Sequence, residues 1–193
     1  MKSNTRDMTL IAMFVALTAI GAQLSLPTEP APFTLQVLFC MYSGVFLGSK
    51  KGAMSQILYV LIGLIGIPVF AGFKGGIQTA ISPTFGYLLG FIVCSFVVGK
   101  ITENFREINI FKLGLATVSG LLVVYVIGVP YLYLILNKVV NSPITFPQAI
   151  KAGFSVFIIQ DLIKCAIVSV SSVAIIPALR KSGYIKIKDE AVN

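Results

Sequence analysis

Six apolar runs, each separated from the next by proline, glycine or charge, set the plan of this chain. They cover 8–26, 33–49, 52–69, 83–100, 113–136 and 154–179. A membrane span needs about 20 mostly apolar residues, and each run meets or approaches that length. The breaks are Pro27, Pro30 and Pro32, then Ser49-Lys50-Lys51-Gly52, then Pro68 through Pro83, Lys100 to Lys112, and Asn137 to Gly153. The pattern predicts an all-α fold: an integral membrane bundle of six transmembrane helices, with residues 1–193 as a single domain. Lys2, Arg6 and the apolar run to Ala22 have the outline of a signal peptide. That run continues to Leu26 and five more follow, so it is read as the first helix.

Composition agrees. The chain is 56% hydrophobic and 11% charged, against about 25% charged in a soluble domain. Mean hydropathy is +0.93. The net charge of +8 does not point to nucleic acid, because the basic residues are scattered among the loops. An even number of spans puts both termini on one side. With that side cytoplasmic, eleven basic residues lie inside: Lys2, Arg6, Lys50, Lys51, Lys100, Arg106, Lys112, Arg180, Lys181, Lys186 and Lys188. Three lie outside, Lys74, Lys138 and Lys151, and Lys164 falls within a span. The asymmetry fits the positive-inside rule and a multi-pass protein of the cell membrane, embedded in the lipid bilayer.

The chain has no histidine, which excludes His-based metal sites, triads and proton relays. Cys40, Cys94 and Cys165 sit in apolar runs without metal-ligand spacing, so no disulfide, metal or cofactor is expected. Gly44 to Lys50 imitates a phosphate-binding loop, but the spacing is wrong. The chain therefore does not hydrolyse ATP by itself. No matched motif links the two halves of the chain, which argues against an inverted-repeat carrier.

One apolar run is flawed. Between Phe154 and Arg180 stand Asp161 and Lys164, three apart and so on one helix face. An ionisable group deep in a bilayer costs about 2.5–3.5 kcal/mol on insertion scales. The orientation puts Asp161 about seven residues past the outer end, about 10 Å deep at about 1.5 Å per residue. Loops 27–32, 70–82 and 137–153 lie on the same side, giving an outward-facing pocket with a loop lid. A lysine there suits a ligand carboxylate. An aspartate beside it orients the lysine or accepts from a ligand N–H. The competing reading is a structural ion pair, which stabilises little on balance.

Three further motifs stand out. Ala12-x-x-x-Ala16, with Ala19 and Ala22, lets another helix approach closely, inside the bundle or outside it. Phe70-Ala71-Gly72-Phe73-Lys74-Gly75-Gly76 combines aromatics with glycines that permit close approach to a ligand. Ser82-Pro83-Thr84-Phe85-Gly86-Tyr87 opens a helix, with Ser82 as its cap and Pro83 in its first turn. Thr84 and Tyr87 then share a face.

Pro30-Ala31-Pro32-Phe33-Thr34-Leu35-Gln36, the 70–76 loop, the run Ser82 to Phe91 and Asp161-Leu162-Ile163-Lys164, in that order, resemble the BioY family. These are the biotin-binding S components of energy-coupling factor (ECF) vitamin transporters. The resemblance implies a non-enzymatic subunit that binds biotin from outside. A membrane coupling protein and two ATPase subunits would complete the transporter. Ala12 and Ala16 would dock on the coupling protein, and the bundle would topple to release its vitamin inside. Lys164 would meet the valerate carboxylate of biotin. Asp161, Gln36, Thr34, Thr84 and Tyr87 would serve its ureido ring, with Phe33, Phe70, Phe73 and the Gly75 loop as walls. One departure is visible: the family usually has Gly-Pro-Thr-Gly-Gly-Tyr where this chain has Ser82 to Tyr87, so Phe85 adds bulk. The alternatives are an S component for another vitamin and a proton-coupled carrier using Asp161. A small membrane enzyme lacks any nucleophile–base pair to support it.

Overall fold

Gly48 turns a long apolar helix back on itself. Its backbone (φ 78, ψ 179) is one that side-chain-bearing L residues rarely adopt, and it divides α2 (Gln36–Leu64) into two arms, 36–47 and 49–64. The arms run antiparallel. Gln56 donates to Ser43 Oγ at 3.3 Å and Gln36 donates to Tyr59 OH at 2.8 Å. In one straight helix those pairs would stand about 20 and 35 Å apart. The turn expected at Ser49–Gly52 thus falls one residue earlier, and Lys50 and Lys51 lie inside the second arm. Two basic residues at a helix start are unfavourable. Glu103 compensates, accepting from Ser49 N at 2.7 Å and from Ser49 Oγ at 3.0 Å.

The computed structural model describes residues 5–26, 28, 32–105 and 107–182. The candidates Lys2, Pro27, Pro30, Ala31, Arg106, Lys186 and Lys188, with the Arg180 side chain, lie outside the described residues. Around α2 stand α1 (Thr5–Gln23), α3 (Phe85–Glu103), α4 (Ile110–Lys138) and α6 (Ile158–Lys181), while α5 (Phe146–Ile150) packs on α4. A short antiparallel hairpin joins α1 to α2: β1 (Ser25–Leu26) pairs with β2 (Phe33–Thr34), Ser25 opposite Thr34. Four described segments are long and apolar enough to cross a membrane: Thr5–Gln23, Phe85–Glu103, Ile110–Lys138 and Phe146–Leu179. Each arm of α2 is shorter than a full span of about 20 residues.

Two predicted boundaries differ for physical reasons. Residues 146–153, expected from sequence as connection, belong to α5 and to a π-helical turn, Lys151–Ser155, that runs on into the expected last span. Thr145 and Gln148 close a capping box that starts α5. The helix expected to open at Ser82 and Pro83 begins at Phe85, and Thr84 precedes it without a side-chain cap bond.

Lipid is as apolar as leucine, so close packing and buried polar contacts hold such a bundle. A Cβ added to Gly44 would meet Ser95 O, Val98 Cβ and Gly99 N, so the first arm and α3 approach backbone to backbone. Ser43 and Ser95 share a 2.7 Å hydrogen bond between hydroxyls in the same seam. Asp7, Lys51, Ser49 and Glu103 meet at one end of the bundle. At the other end Gln23 reaches Phe70 O at 3.0 Å, and the hairpin packs over the start of α6.

Candidate functional site

Asp161 lies in the first turn of α6, nearer the helix start than the sequence implied because α5 and the π turn occupy the preceding residues. Lys164 Nζ lies 2.6 Å from Asp161 Oδ1, and both residues are buried, 6% and 8% exposed. The ammonium also donates to Thr34 O at 2.7 Å. The second carboxylate oxygen, Oδ2, accepts from Tyr125 OH at 2.6 Å. The chain Thr34–Lys164–Asp161–Tyr125 therefore links the β-hairpin, α6 and α4. Three donors belong to the ammonium; two point at protein oxygens and the third has no partner among the described residues.

The pair has two unlike sides. Toward the hairpin lies an open cleft of about 480 Å³, bordered by Phe33, Thr34, Leu35, Gln23, Gln160 and Lys164. Four apolar and five polar side chains border it, so it can hold a small molecule by both kinds of contact. Toward α3 and α4 the space is filled by aromatic rings. Tyr87 packs edge-on against Tyr125 at 6.4 Å, and Tyr125 against Phe154 at 4.8 Å. Tyr87 OH donates to Gly153 O at 2.8 Å. A Cβ at Gly128 would collide with the Tyr87 ring, so that glycine sets where the ring stands.

The predicted residues separate accordingly. Thr34, Phe33 and Lys164 border the cleft, and Phe33 also packs on Phe157 in a tilted contact at 4.8 Å. Tyr87 and Asp161 belong to the aromatic side. Gln36 is buried one step behind Thr34; its backbone N–H donates to Thr34 Oγ1 at 3.3 Å, while its side chain holds Tyr59. Phe70 is buried against Tyr59 and covers Gly63. Phe73 stands away from the pair, 73% exposed and at φ 56. Gly75 packs on Ile67 O, and Thr84 bonds Ser82 across 3.0 Å. Phe85 is buried with Tyr59, Val60 and Phe70, so its bulk enters the core between α2 and α3. Ala12 and Ala16 face outward from α1, uncovered by other helices.

Sequence reasoning missed Tyr125, Tyr59 and Gln23. A tyrosine inside an apolar run needs a partner for its hydroxyl, and that was the available signal for Tyr59 and Tyr125. Gln23 ties the loop after α2: it donates to Phe70 O and accepts from Phe73 N at 3.1 Å. The three thiols are free and buried. Among the described residues no three His, Cys, Asp or Glu side chains gather to hold a metal ion.

Fold and site together define a small helical membrane protein with a buried ion pair beside an open cleft. The chain belongs to the BioY family, whose model matches residues 1–181. It is 42% identical over 163 residues to a biotin transporter BioY of Thermotoga maritima, covering 84% of this chain and 90% of that one. A probable biotin transporter BioY of Lysinibacillus sphaericus is 38% identical over 160 residues, covering 83% of this chain and 81% of the relative. A crystal structure of the S-component for biotin from an ECF-type ABC transporter matches with a TM-score of 0.69 and 26% identity. That match covers 88% of this chain and 90% of the other.

Proposed function

We propose that this chain is the biotin-binding S component of an ECF-type transporter in the cell membrane. Biotin binds at the outer face, and the chain carries no ATPase activity of its own. Family membership supports the ligand, and the observation that carries the site is the buried Lys164–Asp161 pair at the edge of the 480 Å³ cleft. Lys164 keeps one N–H donor for the valerate carboxylate. Asp161 holds that lysine in place, and Phe33 with Thr34 forms the wall over the aliphatic chain. The whole chain acts as one domain. The two arms of α2, each extended by its flanking loop, bring the spans to six, with both termini in the cytoplasm.

A membrane coupling protein and two ATPase subunits supply the energy. The uncovered Ala12–Ala16 face of α1 supports docking there. Calorimetry on the purified chain is the direct test: biotin binds tightly, while thiamine, riboflavin and niacin do not. Binding of one of those vitamins in preference to biotin redirects the reading to another S component, and uptake without ATPase partners redirects it to a proton-coupled carrier.

A further inference from the structure

The cleft beside Lys164 has five polar side chains on its border: Gln23, Ser25, Thr34, Gln160 and Lys164. Most are already engaged. The Gln23 amide is occupied at both ends by the loop after α2, donating to Phe70 O at 3.0 Å and accepting from Phe73 N at 3.1 Å. Thr34 Oγ1 accepts from Gln36 N, and Lys164 donates to Asp161 and to Thr34 O. Ser25 offers a single hydroxyl. Gln160 alone brings a complete amide, two N–H donors and a carbonyl, with no hydrogen bond to any described residue.

Its position is specific. Gln160 and Lys164 are four apart on α6 and therefore share a face. Gln160 is one turn nearer the helix start and half-buried, while Lys164 is buried. A ligand with its carboxylate on Lys164 would extend its other end toward Gln160. A cyclic urea presents a donor N–H beside an acceptor carbonyl. A primary amide presents the complementary acceptor and donor, so the two pair through two hydrogen bonds.

We infer that Gln160 is a specificity-determining residue that reads the ureido ring of the ligand. This rests on the reading of the chain as a biotin binder, and the experiment separates the two. The affinities of biotin and of biotin methyl ester are measured by calorimetry on the full-length chain in detergent. The ester keeps the ureido ring and lacks the carboxylate.

Gln160→Leu weakens both ligands by the same factor, about tenfold. Gln160→Glu keeps the acceptor but loses the amide donors, and it falls between Gln160→Leu and wild type on both ligands. Lys164→Ala weakens biotin strongly and the ester little. Wild-type affinity for both ligands in Gln160→Leu, or a loss confined to biotin, overturns the assignment of Gln160 while leaving the biotin reading intact. A wild-type chain that binds neither ligand overturns both.

Discussion

Two Lys–Asp pairs of nearly equal length occupy opposite ends of this molecule. Lys51 and Asp7 meet at 2.7 Å with side chains 39% and 29% exposed. Lys164 and Asp161 meet at 2.6 Å with side chains 8% and 11% exposed. The first joins α1 to the second arm of α2 and is a helix-to-helix contact. The second lies within one helix, three residues apart, and reaches α4 through Tyr125 and the hairpin through Thr34 O. An exposed pair is worth about 0–1 kcal/mol. A buried pair carries a desolvation penalty that its attraction often fails to offset. The contact that looks structural is therefore the weaker claim on function. The buried pair does little as glue, yet it holds two charges at the rim of a cleft.

The largest effect should come from breaking the buried pair on one side. Lys164→Ala leaves Asp161 buried with only Tyr125 against it, and about 3–5 kcal/mol of stability is lost. Thermal unfolding in detergent reads that loss, and calorimetry reads the loss of biotin binding. The double variant Asp161→Leu/Lys164→Met sharpens the contrast. It removes both charges, so stability returns to wild type or above, while biotin binding stays lost. A double variant that binds biotin normally would mean that the pair serves the fold and not the ligand.

The buried pair was legible in the sequence because charge inside an apolar run is costly and therefore conspicuous. Its surroundings were not. Tyr125 sits in an apolar run of α4, and only the tertiary fold brings its hydroxyl to Asp161. Gln36 was visible as a polar residue, but its partner Tyr59 lies across the α2 hairpin. The sequence puts that hairpin one residue late because Lys50-Lys51 looks like a turn, whereas the positive φ falls on Gly48. The α5 segment was hidden in a polar connection, although Thr145 and Gln148 carry the spacing of a capping box. The apolar runs themselves were plain, since a bilayer imposes length and composition directly. Phe70 and Phe73 sit in one short loop, yet the first is buried and the second exposed. Composition does not distinguish them; the tight turn through Phe70 and Lys74 does.

An intermediate effect should follow from Tyr125→Phe. The ring stays against Tyr87 and Phe154, and only the 2.6 Å hydrogen bond to Asp161 Oδ2 is removed. Hydrogen bonds to charged groups contribute about 1.5–3 kcal/mol. The loss in unfolding free energy should fall in that range, below that of Lys164→Ala. Combined with Asp161→Leu/Lys164→Met, the same substitution should be neutral or stabilising, because the hydroxyl has already lost its acceptor. Equal penalties in both backgrounds would show that the tyrosine hydroxyl has another role.

The smallest effect belongs to the exposed pair. Lys51→Ala or Asp7→Ala should change stability by no more than about 1 kcal/mol. That change should shrink as salt rises, because the charges are within reach of ions. The α2 hairpin does not depend on this pair, since Glu103 still caps the second arm through Ser49. Biotin affinity should stay at the wild-type value, because the pair lies at the far end of the bundle from Lys164. Exchanging the two residues, Asp7→Lys with Lys51→Asp, should restore whatever was lost by the single changes. A Lys51→Ala penalty as large as that of Lys164→Ala would mean that burial does not separate the two pairs, and that α1 is fastened to α2 chiefly through this charge contact.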